Sequence, residues 1–441
     1  MSNNTTRRDF MFQSATAATA LWVTGKATPV IAKNANEQLN IACIGVGGKG
    51  RTDAKEIAKH GKVVAICDID DKRLNAAASI YKEAKKFNDY RELFNKMEGK
   101  VDAVTVTTPD HMHAPISLMA MKKGIHVYCQ KPLVHSVDEC RAMRETAKKY
   151  NVVTQMGNQG TSQDGFREAV EIVRSGAIGD IKEVHVWTNR PGKWWKQGIK
   201  RPTATPAVPK HVHWDLFCGV VPDRPYSPLY HPFHWRGWID FGCGAIGDMA
   251  CHTMNMAVMA LDLYDPTTIE VETSGIVDNE TFPLWGIYHF DFPKRGKFSA
   301  TKLTWYEGNK LPDSKLFMGH KPVGSGLLFV GEKGTIYSPN DYGSKILLLP
   351  KKKFADYKKP EPSLPRIHSE HYKEFADACK GSKVKPMSNF EYASRLTETA
   401  LLGLVALQAG KKIEWDAKNM RVKNGNQESI FLKREYRNGW M

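Results

Sequence analysis

The chain is 441 residues long and 41% hydrophobic, and its 63 Lys and Arg against 47 Asp and Glu give a net charge of +16. That length exceeds the roughly 250–300 residues at which one core stops growing, so two domains are expected. No apolar run reaches the roughly 18 residues of a membrane span, and basic clusters such as Lys351-Lys352-Lys353 lack interleaved aromatics, which argues for a solvated surface and against a nucleic-acid groove, with an acidic glycan as the alternative partner.

In chain order, the first apolar stretch is Ala15 to Val23, preceded by Thr6-Arg7-Arg8-Asp9-Phe10-Met11 and followed by Val30-Ile31-Ala32. Twin Arg, a following Phe, an uncharged run and small residues read as a twin-arginine export signal over 1–32, which predicts a periplasmic mature chain beginning near Lys33. A disordered basic tail is the plainer alternative. The eight cysteines include Cys43, Cys67 and Cys129 in apolar runs, and no Cys-x-x-Cys occurs. They read as small buried hydrophobes, not as a disulfide framework or zinc site.

From Leu39 the pattern becomes a nucleotide-binding one. "LNIACIGVG" predicts a buried strand, "RTDAKEIAKHG" a helix closed by Gly61, and "KVVAICDID" a second strand. Gly45, Gly47 and Gly50, with Gly48 between them, fit G-x-G-x-x-G, and Asp68 follows 18 residues after the last glycine. Such a loop lets backbone approach a pyrophosphate at a helix N-terminus, and the acid accepts the adenosine ribose hydroxyls. This predicts NAD, with NADP the alternative because Lys72 and Arg73 lie just beyond. Further strands at Asp102–Pro109, Ile125–Pro132 and Val152–Gly160 alternate with helices at His113–Gly124 and Ser136–Asn151. The second of these opens with a Ser136/Glu139 capping box. The alternation predicts a doubly wound parallel sheet over 38–158, with ligands at its carboxyl strand ends. Thr108, Pro109, His113, Gln130, Lys131 and Gln159 are then candidates for the cofactor, and His113 and Asn158 for the substrate.

These residues carry a resemblance. "TPDHMHAP", "CQKPL" and the later "GAIGDMACH" resemble, in order and spacing, the Gfo/Idh/MocA family of sugar and cyclitol oxidoreductases, over about Leu39 to Trp415. The resemblance implies a Rossmann domain followed by an α/β domain (159–415) with a large open, mainly antiparallel sheet, and a tail at 416–441. It implies Lys131 at the reacting hydroxyl, His252 as acid/base and Asp248 orienting both. One departure is that Gln130-Lys131-Pro132 stands where the family usually has Glu-Lys-Pro. Loss of that carboxylate removes a charge that would hold the lysine protonated.

In the second half, Trp187, Trp194, Trp195, Trp214, Trp235 and Trp238 lie among Pro and His. Trp194, Trp195 and Trp235 are candidates to stack on sugar rings, with loop packing as the alternative reading. His211, His213, His231 and His234 lack tight zinc spacing, so no metal is expected. Asp248 and His252 are four apart and share a helix face, which predicts a carboxylate–imidazole pair at the substrate, with an N-cap Asp beside a buried His as the alternative. Four antiparallel strands follow, then a long final helix ending at Gly410. An open sheet face predicts a covering second subunit, a dimer or tetramer.

Export and NAD are in tension, because no nicotinamide pool exists outside the cytoplasm. Twin-arginine export moves folded proteins, so a tightly held cofactor can travel with its enzyme, provided each cycle restores it. Either a second substrate takes the hydride back, or a transient 3-keto sugar eliminates its glycosidic substituent before the hydride returns. A glycosidase branch related to the family works in the second way and carries Thr-His-Gly around its histidine. Here Cys251-His252-Thr253 stands in that place, so the resemblance is to the general family. A sugar oxidoreductase is the expected function, redox-neutral glycoside cleavage the alternative, and an exported sugar-binding protein the third.

Overall fold

The computed structural model describes residues 38–425, 427 and 429–440. The expected export signal lies outside the described residues. Six parallel strands form the first sheet: β1 (Leu39–Ile44), β2 (Gly61–Cys67), β3 (Lys85–Phe87), β4 (Ala103–Val106), β5 (His126–Cys129) and β6 (Thr154–Met156), in the order β3-β2-β1-β4-β5-β6. β4 and β5 are buried throughout and β1 is nearly so. A strand buried on both faces favours apolar residues at nearly every position, which is why these segments read as near-continuous runs. Helices Lys49–Ile57 and Asp71–Ile80 cover one face; Tyr90–Lys96, His113–Lys122 and Val137–Lys149 cover the other. The capping box forms at Ser136, whose N–H donates to Glu139 Oε2 at 3.0 Å.

Gly61 does not close the first helix, which ends at Ile57. It opens β2, where a Cβ would stand 2.6 Å from Leu39 O. The turn after β1 needs glycine twice. Gly45 has φ +78°, and a Cβ on Gly50 would lie 1.8 Å from Gly45 O.

The second sheet has nine strands: β7 (Ile181–Thr188), β8 (Thr268–Thr273), β9 (Gly286–Phe292), β10 (Thr301–Glu307), β11 (Ser325–Gly331), β12 (Gly334–Ser338), β13 (Leu347–Leu349), β14 (Ile413–Asp416) and β15 (Arg421–Val422). Their order is β13-β12-β11-β7-β10-β9-β8-β14-β15. The pairings are antiparallel except β7 with β10, which is parallel. From β7 the chain crosses through helices Gly244–Thr253 and Asn255–Leu261 to β8, and two antiparallel reversals, β8 to β9 and β9 to β10, then bring β10 back parallel beside β7. Val184, Val186, Phe290, Leu303 and Trp305 share one buried core with those helices and with Phe390–Ala409.

The outer face is different. There His185 meets Tyr306 at 3.0 Å and His289 meets Glu272 at 3.0 Å. Polar side chains in the middle of that face remove the apolar-burial argument for a covering subunit.

The domain limits read from sequence do not partition the packing. Phe375, Ala376 and Cys379, from the helix His371–Cys379, sit in the core of the first sheet. Arg167 and Glu374 pair at 2.8 Å, both side chains fully or almost fully buried. The segment after 416 is packed as well: Val137 N–H donates to Phe431 O at 2.8 Å, and Trp440 is buried.

Gly50→Ala should lower stability by roughly 1–3 kcal/mol through backbone overlap, seen as a fall in Tm. Gly47→Ala, whose Cβ would meet the movable Arg73 side chain, should cost less. Equal losses would refute this reading of the turn.

Candidate active site

A cleft of about 500 Å³ lies between the two sheets. Gly45, Gly47 and Gly48 line it at the end of β1, and Asp68 and Arg73 at the end of β2. Thr108, Pro109, Gln130, Lys131 and Gln159 line it at the ends of β4, β5 and β6, and Trp194, Trp195, Trp235, Asp248 and His252 face them from the second domain. The structure therefore gathers most of the residues singled out above into one cavity.

The glycine end suits a dinucleotide. The helix Lys49–Ile57 starts at Gly48 with no side-chain cap and no acid in its first turn, so its free N–H groups face a site that favours anions. A Cβ on Gly48 would meet nothing within 4 Å. Asp68 accepts from the N–H of Val46 at 2.9 Å and of Gly47 at 3.2 Å, so it fixes the loop as well as lining the cleft. Burial raises its carboxyl above the ordinary value. Thr108 Oγ1, Gln159 Oε1 and His252 Nδ1 are buried without a protein partner. Leaving such atoms unpaired costs about 1–3 kcal/mol each, which a ligand in the cleft would recover.

At the other end, Lys131 Nζ donates to Asp248 Oδ1 and to Asp248 O, both at 2.8 Å. Arg236 Nε donates to the same Oδ1 at 3.2 Å, and its guanidinium lies 4.2 Å from the Trp235 ring. Burial alone would raise the Asp248 carboxyl; the Lys131 and Arg236 charges outweigh it and hold the group well below the usual carboxylate range. Burial, with the Lys131 charge adding to it, pushes His252 well below its ordinary value, so its imidazole is neutral at pH 7. Its ring stands edge-on to Tyr342 at 4.9 Å. A lysine has three N–H donors and two are spent on Asp248. The cluster thus offers one further donor beside one neutral base.

Several expectations are corrected. His113 does not line the cleft: its nitrogens lie 2.7 Å from Pro132 O and 2.8 Å from Thr108 O, so it ties the ends of β4 and β5 together. Asn158 is also fully buried outside the cleft, donating to Cys251 O at 3.2 Å. Gly50 packs against Gly45 and does not face the cleft. Asp248 and His252 are not hydrogen-bonded to each other; Lys131 and Arg236 instead share Asp248 Oδ1. Of the loop histidines, His211 and His231 both face Asp70, and His213 meets the neighbouring Asp71 at 3.1 Å. The tryptophans divide: Trp194 is 44% exposed in the cleft, whereas Trp238 is fully buried.

The charge that Gln130 lacks reaches Lys131 from Asp248. Gln130 Nε2 donates at 2.9 Å to Asp53, a fully buried carboxylate that also accepts from Thr107, Tyr372 and Lys49. A glutamate at 130 would face that carboxylate. Asp110 stands in the strand-end stretch TPDHMHAP, whereas Tyr342, Asp53 and Trp440 carry no such sequence signal; for Arg236, its place between Trp235 and Trp238 is the one cue the sequence holds.

Residues 39–158 match the oxidoreductase family's NAD-binding Rossmann fold and residues 165–288 its C-terminal alpha/beta domain. The chain belongs to the Gfo/Idh/MocA family. A Salmonella typhimurium inositol 2-dehydrogenase is 31% identical over 152 residues, 33% of this chain and 45% of that protein. An Escherichia coli 2,7-anhydro-N-acetylneuraminate hydratase is 27% identical over 165 residues, 36% of this chain and 43% of that one. The aligned stretches span less than half the length of these relatives. Among solved structures, the Bordetella pertussis WlbA dehydrogenase, in complex with NADH and UDP-GlcNAcA, has a TM-score of 0.61 at 15% identity, covering 86% of this chain and 99% of that one. An Azotobacter vinelandii inositol dehydrogenase homolog, with NADH and myo-inositol, has a TM-score of 0.57 at 15% identity, covering 87% and 99%. Its first domain is accordingly the NAD-binding Rossmann fold of that oxidoreductase family.

Two predictions follow from the charges. Gln130→Glu should destabilise the protein by roughly 2 kcal/mol or more, as expected for a buried carboxylate that loses a donor, and Asp53→Asn should restore most of the Tm; a neutral single variant would refute the Gln130–Asp53 contact. Asp110, whose Oδ2 accepts from Cys243 N–H at 3.0 Å, is pushed by burial up to about 7 against the Arg236 and Lys131 charges. Below pH 7 it is neutral, and above it adds a negative charge that strengthens a nearby base. The kcat/KM for alcohol oxidation should rise roughly tenfold through pH 7, the effect of one pK unit, and Asp110→Asn should flatten that step.

Proposed function

We propose that this protein is an exported NAD-dependent oxidoreductase that oxidises a secondary hydroxyl of a sugar, glycoside or cyclitol. The observation that carries this reading is the Lys131–Asp248–Arg236 cluster with the unpartnered His252 nitrogen, in one cleft with the glycine loop. When bound, the nicotinamide accepts the hydride. Lys131 holds the reacting oxygen with its remaining N–H, His252 takes the hydroxyl proton, and Asp248 fixes the Lys131 side chain in reach. Trp194, stacked by Arg190 at 4.1 Å, and the buried Trp195 and Trp235 supply flat apolar walls for a sugar ring. The names of the dehydrogenase relatives support this substrate class. The Arg7-Arg8 sequence supports export, and export favours a cofactor restored within each cycle.

The second reading is redox-neutral cleavage through a transient ketone, and the hydratase relatives support it. In that reading the same lysine and histidine serve, and the hydride returns after elimination. A binding protein without turnover is the third reading, and the intact Lys131, Asp248 and His252 argue against it.

The test is to offer purified protein a panel of sugars, sugar acids and glycosides while recording nicotinamide absorbance and released aglycone. Lasting reduction with an oxidised sugar supports the oxidoreductase; aglycone release without net reduction supports the second reading. His252→Ala should lower kcat by roughly 10²–10⁴-fold, the usual contribution of a general base, with sugar binding largely kept. Undiminished turnover in that variant would remove His252 from the mechanism.

A further inference from the structure

In a Rossmann cleft the glycine loop takes the pyrophosphate, and the acid after β2 takes the adenosine ribose. The direction of the bound dinucleotide is therefore fixed: its nicotinamide end faces Lys131, and its adenosine end lies past Asp68, toward the end of β3. Asn88, Asp89 and Tyr90 line the cleft there, and so does Trp440, the penultimate residue of the chain.

Trp440 is 6% exposed. The Arg91 guanidinium lies 4.0 Å from its ring, and Arg91 also donates to Gly439 O at 3.1 Å. The segment leading to it is anchored at each step. Phe431 O and Leu432 O accept from Val137 and Asp138 N–H at 2.8 and 3.1 Å. Tyr436 Oη donates to Glu139 at 2.6 Å, and Arg437 N–H donates to Val220 O at 2.9 Å.

The Val220 contact joins this segment to the second-domain loop that crosses the end of β2. There Asp71 N–H donates to His211 O at 2.8 Å and His213 N–H to Ile69 O at 2.9 Å. Leu216 and Phe217 of that loop line the same cleft. Loop and C-terminal segment thus enclose the adenosine end from two sides and are bonded to each other.

We propose that the C-terminal segment from Ser429 is a clasp over the cofactor's adenosine end, that Trp440 is a wall of the adenine site, and that NAD held this way stays with the protein through turnover. The inference rests on the NAD-binding assignment and names a site and a consequence beyond it. Escape of the base requires the clasp to open, so release is set by a local unfolding step and not by diffusion from an open groove. A flat indole suits a purine face, and base–aromatic stacking tolerates any base.

The full-length protein, Trp440→Ala, Trp440→Phe and a chain ending at Glu435 would be loaded with NADH, desalted and chased with excess NAD. Bound nucleotide and its release rate are the readouts. The parent should retain NADH through desalting. Trp440→Ala and the shortened chain should release it roughly 10- to 100-fold faster, the range that loss of one base stack gives, and Trp440→Phe should recover most of the retention. Parent and Trp440→Ala releasing NADH at the same rate would overturn the clasp while leaving NAD binding intact; a parent that binds no NADH in titration would overturn the cofactor assignment itself. Should the altered chains fail to fold, hydrogen exchange on the parent decides: NADH should protect the amides of 436–440, and unchanged exchange there overturns the clasp.

Discussion

The contact on which the site depends is the 2.8 Å pair between Lys131 and Asp248. Its partners come from the end of β5 and from the helix Gly244–Thr253, 117 residues apart. Each is 15% exposed, so the pair is costly to desolvate and is weak evidence for stability on its own. What it secures is geometry. One carboxylate shared by Lys131 and Arg236 leaves donors unspent beside a neutral imidazole, and the domains must be docked for that arrangement to exist. Docking in turn rests on buried elements away from the cleft: the Arg167–Glu374 pair and the helix His371–Cys379 lying on the first sheet.

The parts of this arrangement that could be read from sequence are those set by local rules. β1 and β4 announce themselves because a doubly covered strand is almost wholly apolar, and the glycine loop because only Gly tolerates φ +78° at 45 and the 1.8 Å approach at 50. The Ser136–Glu139 box needs only its own spacing. The misreadings are those where a tertiary contact decides. His113 sits at a strand end, where a ligand residue would, but two carbonyls of neighbouring strand ends claim its ring. Asp248 and His252 share a helix face as spaced, yet cations from elsewhere claim the carboxylate. Nothing local in Trp440 says that it would reach the cleft, and for Arg236 only its place between Trp235 and Trp238 does.

The Gln130 departure shows how such charges move. The position beside the lysine needs no carboxylate when Asp248 supplies one from the other domain. It does need a donor, because Asp53 beneath it is fully buried and gathers Thr107, Tyr372 and Lys49 as well. An amide satisfies both demands at once: it donates to Asp53 and leaves Lys131 to Asp248. Gln130 thus fits where the negative charges sit in the fold, and Lys131 keeps Asp248 as counter-ion.

The chemistry and the enclosure belong together. Burial disfavours the charged form of His252, and that burial comes from segments remote in sequence, Tyr342 among them. The same walls raise Asp110 and leave Thr108, Gln159 and His252 with unmet hydrogen-bonding groups. An open groove would satisfy those groups with solvent and lose the perturbation of the base. A closed one keeps them for ligands, at the cost of slow exchange. Slow exchange is a defect for an enzyme that draws on a cofactor pool, and no defect for one that restores its cofactor in place. The physical state of the base and the unmet hydrogen-bonding groups are therefore two consequences of one constraint, burial in a cleft between two docked sheets.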